Sequence, residues 1–421
     1  MGVYRIVGGE PLNGEVTIHG AKNSVLPILA ATLLTADTCV LHNCPAITDV
    51  DSATAILTHL GCKAERCGET LFVDTRRASE TDIPVSLMRR MRAAVIFLGP
   101  LLARFSEATA SPPGGCELGA RPIDLHLRGL RSLGAEIVQE GIRLSCRTDG
   151  LRGGTVTLPF PSVGATENLL LASMGCGEDV ILCNAAREPE IGDLVGFLRA
   201  CGADIAGEGT SVLRIRAGKK LHGAEYTVQP DRMEAVTYLS AAAATRGSLV
   251  LRKTCPEHYE AVLRVLERGG CKAERRAGDT LALTCNRLRA VSPIQTAPYD
   301  GFPTDAQAPV MAAMATAEGI SIFEETIFSD RFRHVPALRR MGAHILTTER
   351  YAVVTGVPTL CGASVSATDL RGGAAMVIAA LSADGESVVE QTEHIERGYS
   401  ALAEQLRACG AKINHIEGQS G

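Results

Sequence analysis

The residue best suited to chemistry is Cys116, in the segment SPPGGCELGAR at 111–121. Pro112-Pro113 and Gly114-Gly115 cannot belong to a regular helix or strand, so the spacing predicts a loop with an exposed thiol. Arg121 follows five residues later. A nearby cation favours the thiolate and tunes such a thiol as an acid or a nucleophile. The other thirteen cysteines occupy mostly core-like positions, where the residue is usually structural. No local His or Asn completes a cysteine-hydrolase pattern, and distant partners stay open. Cys39/Cys44 and Cys62/Cys67 lack nearby His partners and no CxxC pair gives zinc spacing, so neither a metal nor another cofactor is expected.

A second group of residues suits a small anion. Lys22, Arg92, Arg232 and Arg371 each stand where the pattern predicts a helix to begin, and a cation there opposes the helix dipole. Arg121, Arg331 and Arg397 repeat the theme, 13, 11 and 13 residues before a recurring glycine. At the same positions Ser162, Asp231, Thr304 and Asp369 are explained as ordinary N-caps. The bland reading of the cations is a set of solvated helix starts. The functional reading is a cationic cleft between two globules, lined by helix N-termini, holding phosphate and carboxylate on one small molecule. Arginine outnumbers lysine 35 to 7, and its planar fork of donors fits those groups. A nucleic-acid partner is not expected: the net charge is −5 and aromatics are 4% with no Trp.

The elements that position these residues come from an internal repeat. An apolar helical stripe ending in Gly, followed by a strand-like run, occurs six times, with Gly61, Gly134, Gly202, Gly270, Gly342 and Gly410 spaced by 73, 68, 68, 72 and 68 residues. Each glycine reads as a helix C-cap in the left-handed region. An earlier helix begins 37 to 42 residues before each of them: KNSVLPILAATLL, RAAVIFLGPLLA, GATENLLLASM, DRMEAVTYLSAAAAT, DAQAPVMAAMATA and DLRGGAAMVIAALSA. Alternating runs such as DVILCNA, GSLVLRK and GISIFEE supply strands between them. The class is α/β.

A repeat of about 70 residues is marginal alone, and six in tandem suggest two globules of three. Only 11 residues follow Gly410, and YRIVGG with GEVTIHG near the N-terminus look like the strands missing there. The expected domains are therefore 22–229, and 1–21 together with 230–421, joined by a two-strand hinge near Gly20 and Pro230. No apolar run approaches the ~18 residues of a membrane span. The N-terminus lacks a signal h-region, and Ile6 breaks a myristoylation pattern. Scattered cysteines fit a reducing cytoplasm. Nothing in the chain sets an oligomeric state.

GAKNSVLPILAATLL, MRA at 91–93, SPPGGCELGARPIDLH, SVGAT, NAAREPEI, PDRMEA, FPTDAQA, DRFRHVPAL, ATDLR and HIERGY are collinear from residue 5 to about 413. Together they resemble the UDP-N-acetylglucosamine 1-carboxyvinyltransferase family of peptidoglycan synthesis. The resemblance implies two inside-out α/β barrels of three repeats each. It implies transfer of the enolpyruvyl group of phosphoenolpyruvate to the 3-hydroxyl of UDP-N-acetylglucosamine, with release of phosphate. Cys116 would donate the proton to C3, form a covalent adduct with phosphoenolpyruvate and react with fosfomycin. Asp305 would take the hydroxyl proton. Lys22, Arg121 and Arg397 match the phosphoenolpyruvate-binding cations, while Arg92, Arg331 and Arg371 lie in matching motifs with a cleft or closure role, and Arg232, in PDRMEA, is expected among the substrate-binding residues. Asn23, Asp305 and Ile327 would hold the sugar, and Arg121, Pro122, Ile123, Asp124 and Leu125 with Phe160, Ser162, Val163 and Gly164 the uridine diphosphate.

Two departures from the family pattern stand out. Gly372-Gly373 follow Arg371 where Ala or Ser is commoner, and Phe160-Pro161 replace a more polar segment. Neither touches the chemistry. Three other readings are weighed against this one. A 5-enolpyruvylshikimate-3-phosphate synthase generally lacks the loop Cys and starts differently from Gly20-Ala21-Lys22-Asn23. An RNA 3'-phosphate cyclase-like protein is disfavoured by charge and by the missing nucleotidylation His pattern. An inactive copy acting as a binding or regulatory module is disfavoured by the filled catalytic positions.

Overall fold

The computed structural model of the chain describes residues 2–112 and 123–416, so Cys116, Arg121 and Pro122 lie outside the described residues. The described residues divide into two compact units. The internal unit holds 20–112 and 123–229, and the terminal unit holds 2–19 and 230–416.

Both units use one building plan, with helices inside and sheets outside. The interior helices are Lys22–Thr32, Leu98–Phe105 and Val163–Ser173 in the internal unit. Arg232–Ala244, Gln307–Met314 and Leu370–Ser382 play that part in the terminal unit. A helix that is apolar all round belongs in an interior, and every residue of Arg232–Ala244 except its first is buried. Two of the expected helices start differently. A 3-10 segment, Arg92–Phe97 or Thr304–Ala306, precedes the α-helix. Pro100 and Pro309 are then third residues of their α-helices, where the missing N–H has no helical acceptor to lose. The outer strands alternate, one side on the helices and one in water, as in Val212–Arg216.

The six repeat glycines end the outer helices in one geometry. Their φ values lie between 91° and 100°, a region costly for residues with a Cβ. In every copy the residue after the glycine reaches back across the turn: the N–H groups of Cys62, Ala135, Ala203, Cys271, Ala343 and Ala411 donate to the carbonyls of Leu57, Leu130, Leu198, Leu266, Leu338 and Leu406. That is the 6→1 bond of a Schellman cap. Arg131, Arg199, Arg339 and Arg407 add a bond from their guanidinium to the carbonyls of Ile137, Ile205, Ile345 and Ile413. Part of the arginine surplus thus has a purely structural use.

Each repeat also passes one strand to the next as a parallel edge. Gly154–Thr157 pairs with Val180–Cys183, and Glu225–Thr227 returns to Thr38–His42, closing the internal unit. A parallel bridge between Asp82 and Thr109 makes the remaining link. In the terminal unit Ile294–Gln295 pairs with Ile320–Glu324, and Ser364–Ser366 with Glu386–Glu390. The ring closes through the N-terminal residues. Val3–Val7 lies between Glu386–Glu390 and Lys412–Ile416, where every other repeat places the second strand of its hairpin. Asn13–Thr17 then pairs in parallel with Ser248–Arg252 of the fourth repeat. Among the described residues, no helix is long and apolar enough to cross a membrane, and the thirteen described cysteines are free thiols.

Candidate functional site

In the internal unit the site residues cluster at helix starts. Lys22 is the first residue of Lys22–Thr32, whose N-cap Ala21 offers no side-chain acceptor. Its ammonium lies 2.7 Å from the Asp49 carboxylate, with the two side chains 12% and 3% exposed. Asp49 sits in the first turn of Thr48–His59, where an acid suits the dipole. The solvated-surface reading of Lys22 therefore fails: a buried acid of the protein holds it. Asn23, half-buried, follows on the same turn.

Arg92 opens its 3-10 segment half-buried, and His126 lies in its field. Asn168 organises that corner, donating from Nδ2 to the Val95 carbonyl and to His126 Nδ1 while its Oδ1 accepts from the Gly99 N–H. Because His126 Nδ1 accepts, its proton sits on Nε2. The ring keeps part of its edge open, yet burial, with Arg92 adding to it, pulls its pKa down to about 4. Asp124 starts Asp124–Ser132, and Ile123 and Leu125 pack against the core margin. Ser162 caps Val163–Ser173 by accepting the Ala165 N–H at 3.4 Å, and its own N–H returns to the Phe160 carbonyl. Phe160 is exposed. A Cβ on Gly164 would stand 3.1 Å from His126, so glycine lets the ring approach that helix start.

In the terminal unit a single carboxylate is the focus. Asp305 lies in the 3-10 segment Thr304–Ala306. Its Oδ1 accepts from Arg331 at 2.6 Å and its Oδ2 from Arg371 at 3.2 Å. Both guanidiniums are 4% exposed, whereas Asp305 keeps 33% of its side chain open. Arg371 is held charged: burial opposes its charge, but Tyr399, Asp305 and Asp231 outweigh it. Glu325, buried, accepts from the hydroxyls of Thr296 and Thr304 and from the N–H groups of Ile327 and Phe328. It thereby fixes Ile327 relative to the segment that carries Asp305. Asp231 and Asp369 are true N-caps, each accepting two backbone N–H groups. Arg232 is half-buried, its guanidinium 5.7 Å from the centre of the Tyr299 ring.

Three expectations need correction. Thr304 is no cap: its hydroxyl donates to Glu325, and Pro303 precedes the segment. Arg331 lies in the connection before Val335–Arg340 rather than at a helix start, tied to the Thr304 carbonyl as well as to Asp305. Arg397 follows the short helix Glu393–Glu396 as its C-cap, where a cation agrees with the dipole. Among the described residues, no group of three or more His, Cys, Asp or Glu could hold a metal ion.

The EPSP synthase (3-phosphoshikimate 1-carboxyvinyltransferase) family model matches residues 6–406. UDP-N-acetylglucosamine 1-carboxyvinyltransferase 2 of Caldanaerobacter subterraneus subsp. tengcongensis is 49% identical over 417 residues, which cover 99% of this chain and 100% of that protein. The chain belongs to the UDP-N-acetylglucosamine 1-carboxyvinyltransferase family. A second member, from Granulibacter bethesdensis, is 47% identical, with 98% of this chain and 99% of that protein covered. Among solved structures, the enolpyruvyl transferase NikO from Streptomyces tendae superposes with a TM-score of 0.89 at 25% identity, covering 99% of each chain. An EPSP synthase from Acinetobacter baumannii gives 0.74 at 18% identity over 99% of this chain and 100% of that one, which shows the shared fold. For a carboxyvinyltransferase of this family, sequence reasoning missed Asp49, His126, Glu325 and Tyr399. Asp49 reads as an ordinary first-turn acid, and the other three stand inside or beside motifs without a spacing that marks them.

Proposed function

We propose that the protein transfers the enolpyruvyl group of phosphoenolpyruvate to the 3-hydroxyl of UDP-N-acetylglucosamine. The observation that carries this reading is Asp305: a partly open carboxylate whose two oxygens are held by two buried arginines. Such a group is fixed in place and still reachable by a substrate hydroxyl. In the proposed reaction the sugar oxygen bonds to C2 of phosphoenolpyruvate, Asp305 takes the hydroxyl proton, and Cys116 gives its thiol proton to C3. The tetrahedral adduct then returns a proton from C3 to the Cys116 thiolate as its C2–O bond to phosphate breaks, forming the C2=C3 bond of the enol ether and releasing phosphate. Phosphoenolpyruvate brings about three negative charges that fixed cations must offset. Lys22, Arg121 and Arg397 take that part, with Arg92, Arg232, Arg331 and Arg371 supporting them. Asn23 and Ile327 hold the sugar, and 121–125 with 160–164 the uridine diphosphate. The domains are proposed to be the two three-repeat units.

The test is phosphate release from phosphoenolpyruvate with UDP-N-acetylglucosamine, run beside shikimate 3-phosphate. Turnover with the nucleotide sugar alone supports the reading. Turnover with shikimate 3-phosphate instead makes this a synthase of the sister type, and turnover with neither makes it an inactive copy.

A further inference from the structure

We propose that Tyr399 is a positioning residue for Asp305, acting through Arg371. The inference rests on the role given to Asp305 above. Its basis is a hydrogen-bond chain that runs from Thr237 through Tyr399 and Arg371 to Asp305. The Thr237 hydroxyl donates to the Met233 carbonyl one turn back at 2.9 Å, so its single proton is committed. With that proton so placed, its oxygen accepts from the Tyr399 hydroxyl, 2.7 Å away. The Tyr399 oxygen is left to accept from the guanidinium of Arg371 at 2.9 Å. Arg371 Nε in turn donates to Asp305 Oδ2 at 3.2 Å. Thr237, Tyr399 and Arg371 are all buried, and hydrogen bonds in such surroundings reinforce one another. The Tyr399 ring adds a second hold, its centre 5.4 Å from the Arg371 guanidinium carbon.

The arrangement separates two jobs. The other Asp305 oxygen is held by Arg331, which also binds the Thr304 carbonyl and so moves with that segment. Arg371 comes from a different element, the interior helix Leu370–Ser382, and its reach to Asp305 has to be aimed. Other charged and titratable groups nearby have other tasks. Asp369 caps one helix, Asp231 caps another and through its charge also favours the Arg371 guanidinium, Glu325 holds Thr304 and Ile327, and His334 is neutral because burial pulls its pKa down to about 4. Aiming Arg371 falls to Tyr399, which is buried and contacts no other charged side chain in this chain of bonds.

The experiment compares the kcat and KM of the full-length enzyme against pH for wild type, Tyr399→Phe, Thr237→Val and Thr237→Ser. Tyr399→Phe keeps the ring and removes the acceptor. It should lower kcat about tenfold, with the KM for UDP-N-acetylglucosamine changing less than about threefold. The positive charge of Arg371 favours the ionised form of Asp305, so loosening it should move the acid limb of the kcat profile upward by about half a pH unit or more. Thr237→Val should move both in the same direction, whereas Thr237→Ser, which restores the hydroxyl, should keep the wild-type profile. A Tyr399→Phe enzyme that melts earlier but keeps its kcat and acid limb would overturn the proposal. So would a crystal structure of that variant with the Arg371–Asp305 bond unchanged. That structure tests the positioning role even if wild type fails to turn over UDP-N-acetylglucosamine, a result that would instead refute the assigned reaction. If Tyr399→Phe does not fold, the Val and Ser pair at Thr237 decides the matter.

Discussion

Replacing Asp305 by Ala should damage stability and turnover together, and the structure gives the size of each. The carboxylate joins two guanidiniums that are 4% exposed, and removing it takes from both the anion they share. Breaking a buried ion pair by deleting one partner costs about 3–5 kcal/mol. Asp305 itself is 33% exposed, so water can enter the vacated place and the loss should be nearer ~2–3 kcal/mol. For a unit of this size that corresponds to a fall of roughly 4–12 °C in its melting transition. Turnover should fall by ~10²-fold or more, because the hydroxyl proton loses its acceptor. Asp305→Asn separates the effects: its amide keeps polar contacts with the arginines and should recover part of the stability, but as a far weaker base it should not recover turnover. Calorimetry for melting, isothermal titration for UDP-N-acetylglucosamine and a phosphate-release assay complete the comparison, with the sugar expected to bind both variants. Normal turnover by Asp305→Asn would show that the residue only ties two arginines together. An unshifted melting transition in Asp305→Ala would show that the ion pairs contribute nothing.

Cys116→Ser should be nearly inactive, whereas Cys116→Asp should retain turnover with an acid-shifted optimum, because an acid can still deliver a proton to C3. Fosfomycin should alkylate Cys116 by mass spectrometry and spare Cys44, Cys62, Cys146 and Cys176, whose thiols burial pushes up to about 12, 11, 11 and 11; an adduct on another cysteine with none on Cys116 would remove Cys116 from its role. Asp49→Asn removes the anion 2.7 Å from the largely buried Lys22 ammonium and should both lower the melting temperature and raise the KM for phosphoenolpyruvate several-fold; an unchanged KM would make Lys22 a structural cation. Stability should fall as pH drops from about 6.5 toward 4, since His126 and His334 have folded pKa values near 4 and the unfolded chain binds those protons first. Buried Glu167, whose pKa is raised by burial, works in the opposite sense, so the readout is the difference between wild type and His126→Gln across that window, and parallel curves would count against the histidine.

Features set by one residue at a fixed period were readable from the chain. The six glycines announce themselves because a left-handed C-cap penalises every other side chain, and their register led to the missing strands that Val3–Val7 and Asn13–Thr17 supply. Lys22 and Arg371 stood out because they oppose the local dipole preference. What holds them was not readable, because Asp49 and Tyr399 meet them through space from other elements while sitting at locally unremarkable positions. Thr304 shows the converse. It looks like a cap, yet its hydroxyl serves a buried glutamate 21 residues away. Arg397 was misjudged because the four-residue helix Glu393–Glu396 lies before it, too short for any periodicity to reveal.

The pairing of Lys22, Arg331 and Arg371 with acids bears on how the proposed chemistry is timed. A buried ammonium or guanidinium without an anion would be too costly to keep, so Asp49 and Asp305 let the folded protein hold its cations before any substrate arrives. Two arginines against one Asp305 leave that cluster with one net positive charge. When the carboxylate accepts the sugar's proton, the cluster gains a second, beside a bound anion that can use it. The same arginines stabilise the ionised form and make Asp305 a poor base toward an unactivated hydroxyl. A sugar hydroxyl becomes strongly acidic only while its oxygen is bonding to C2. Proton transfer to Asp305 therefore has to accompany or follow that bond, which is why the thiol proton must reach C3 in the same stage rather than after it.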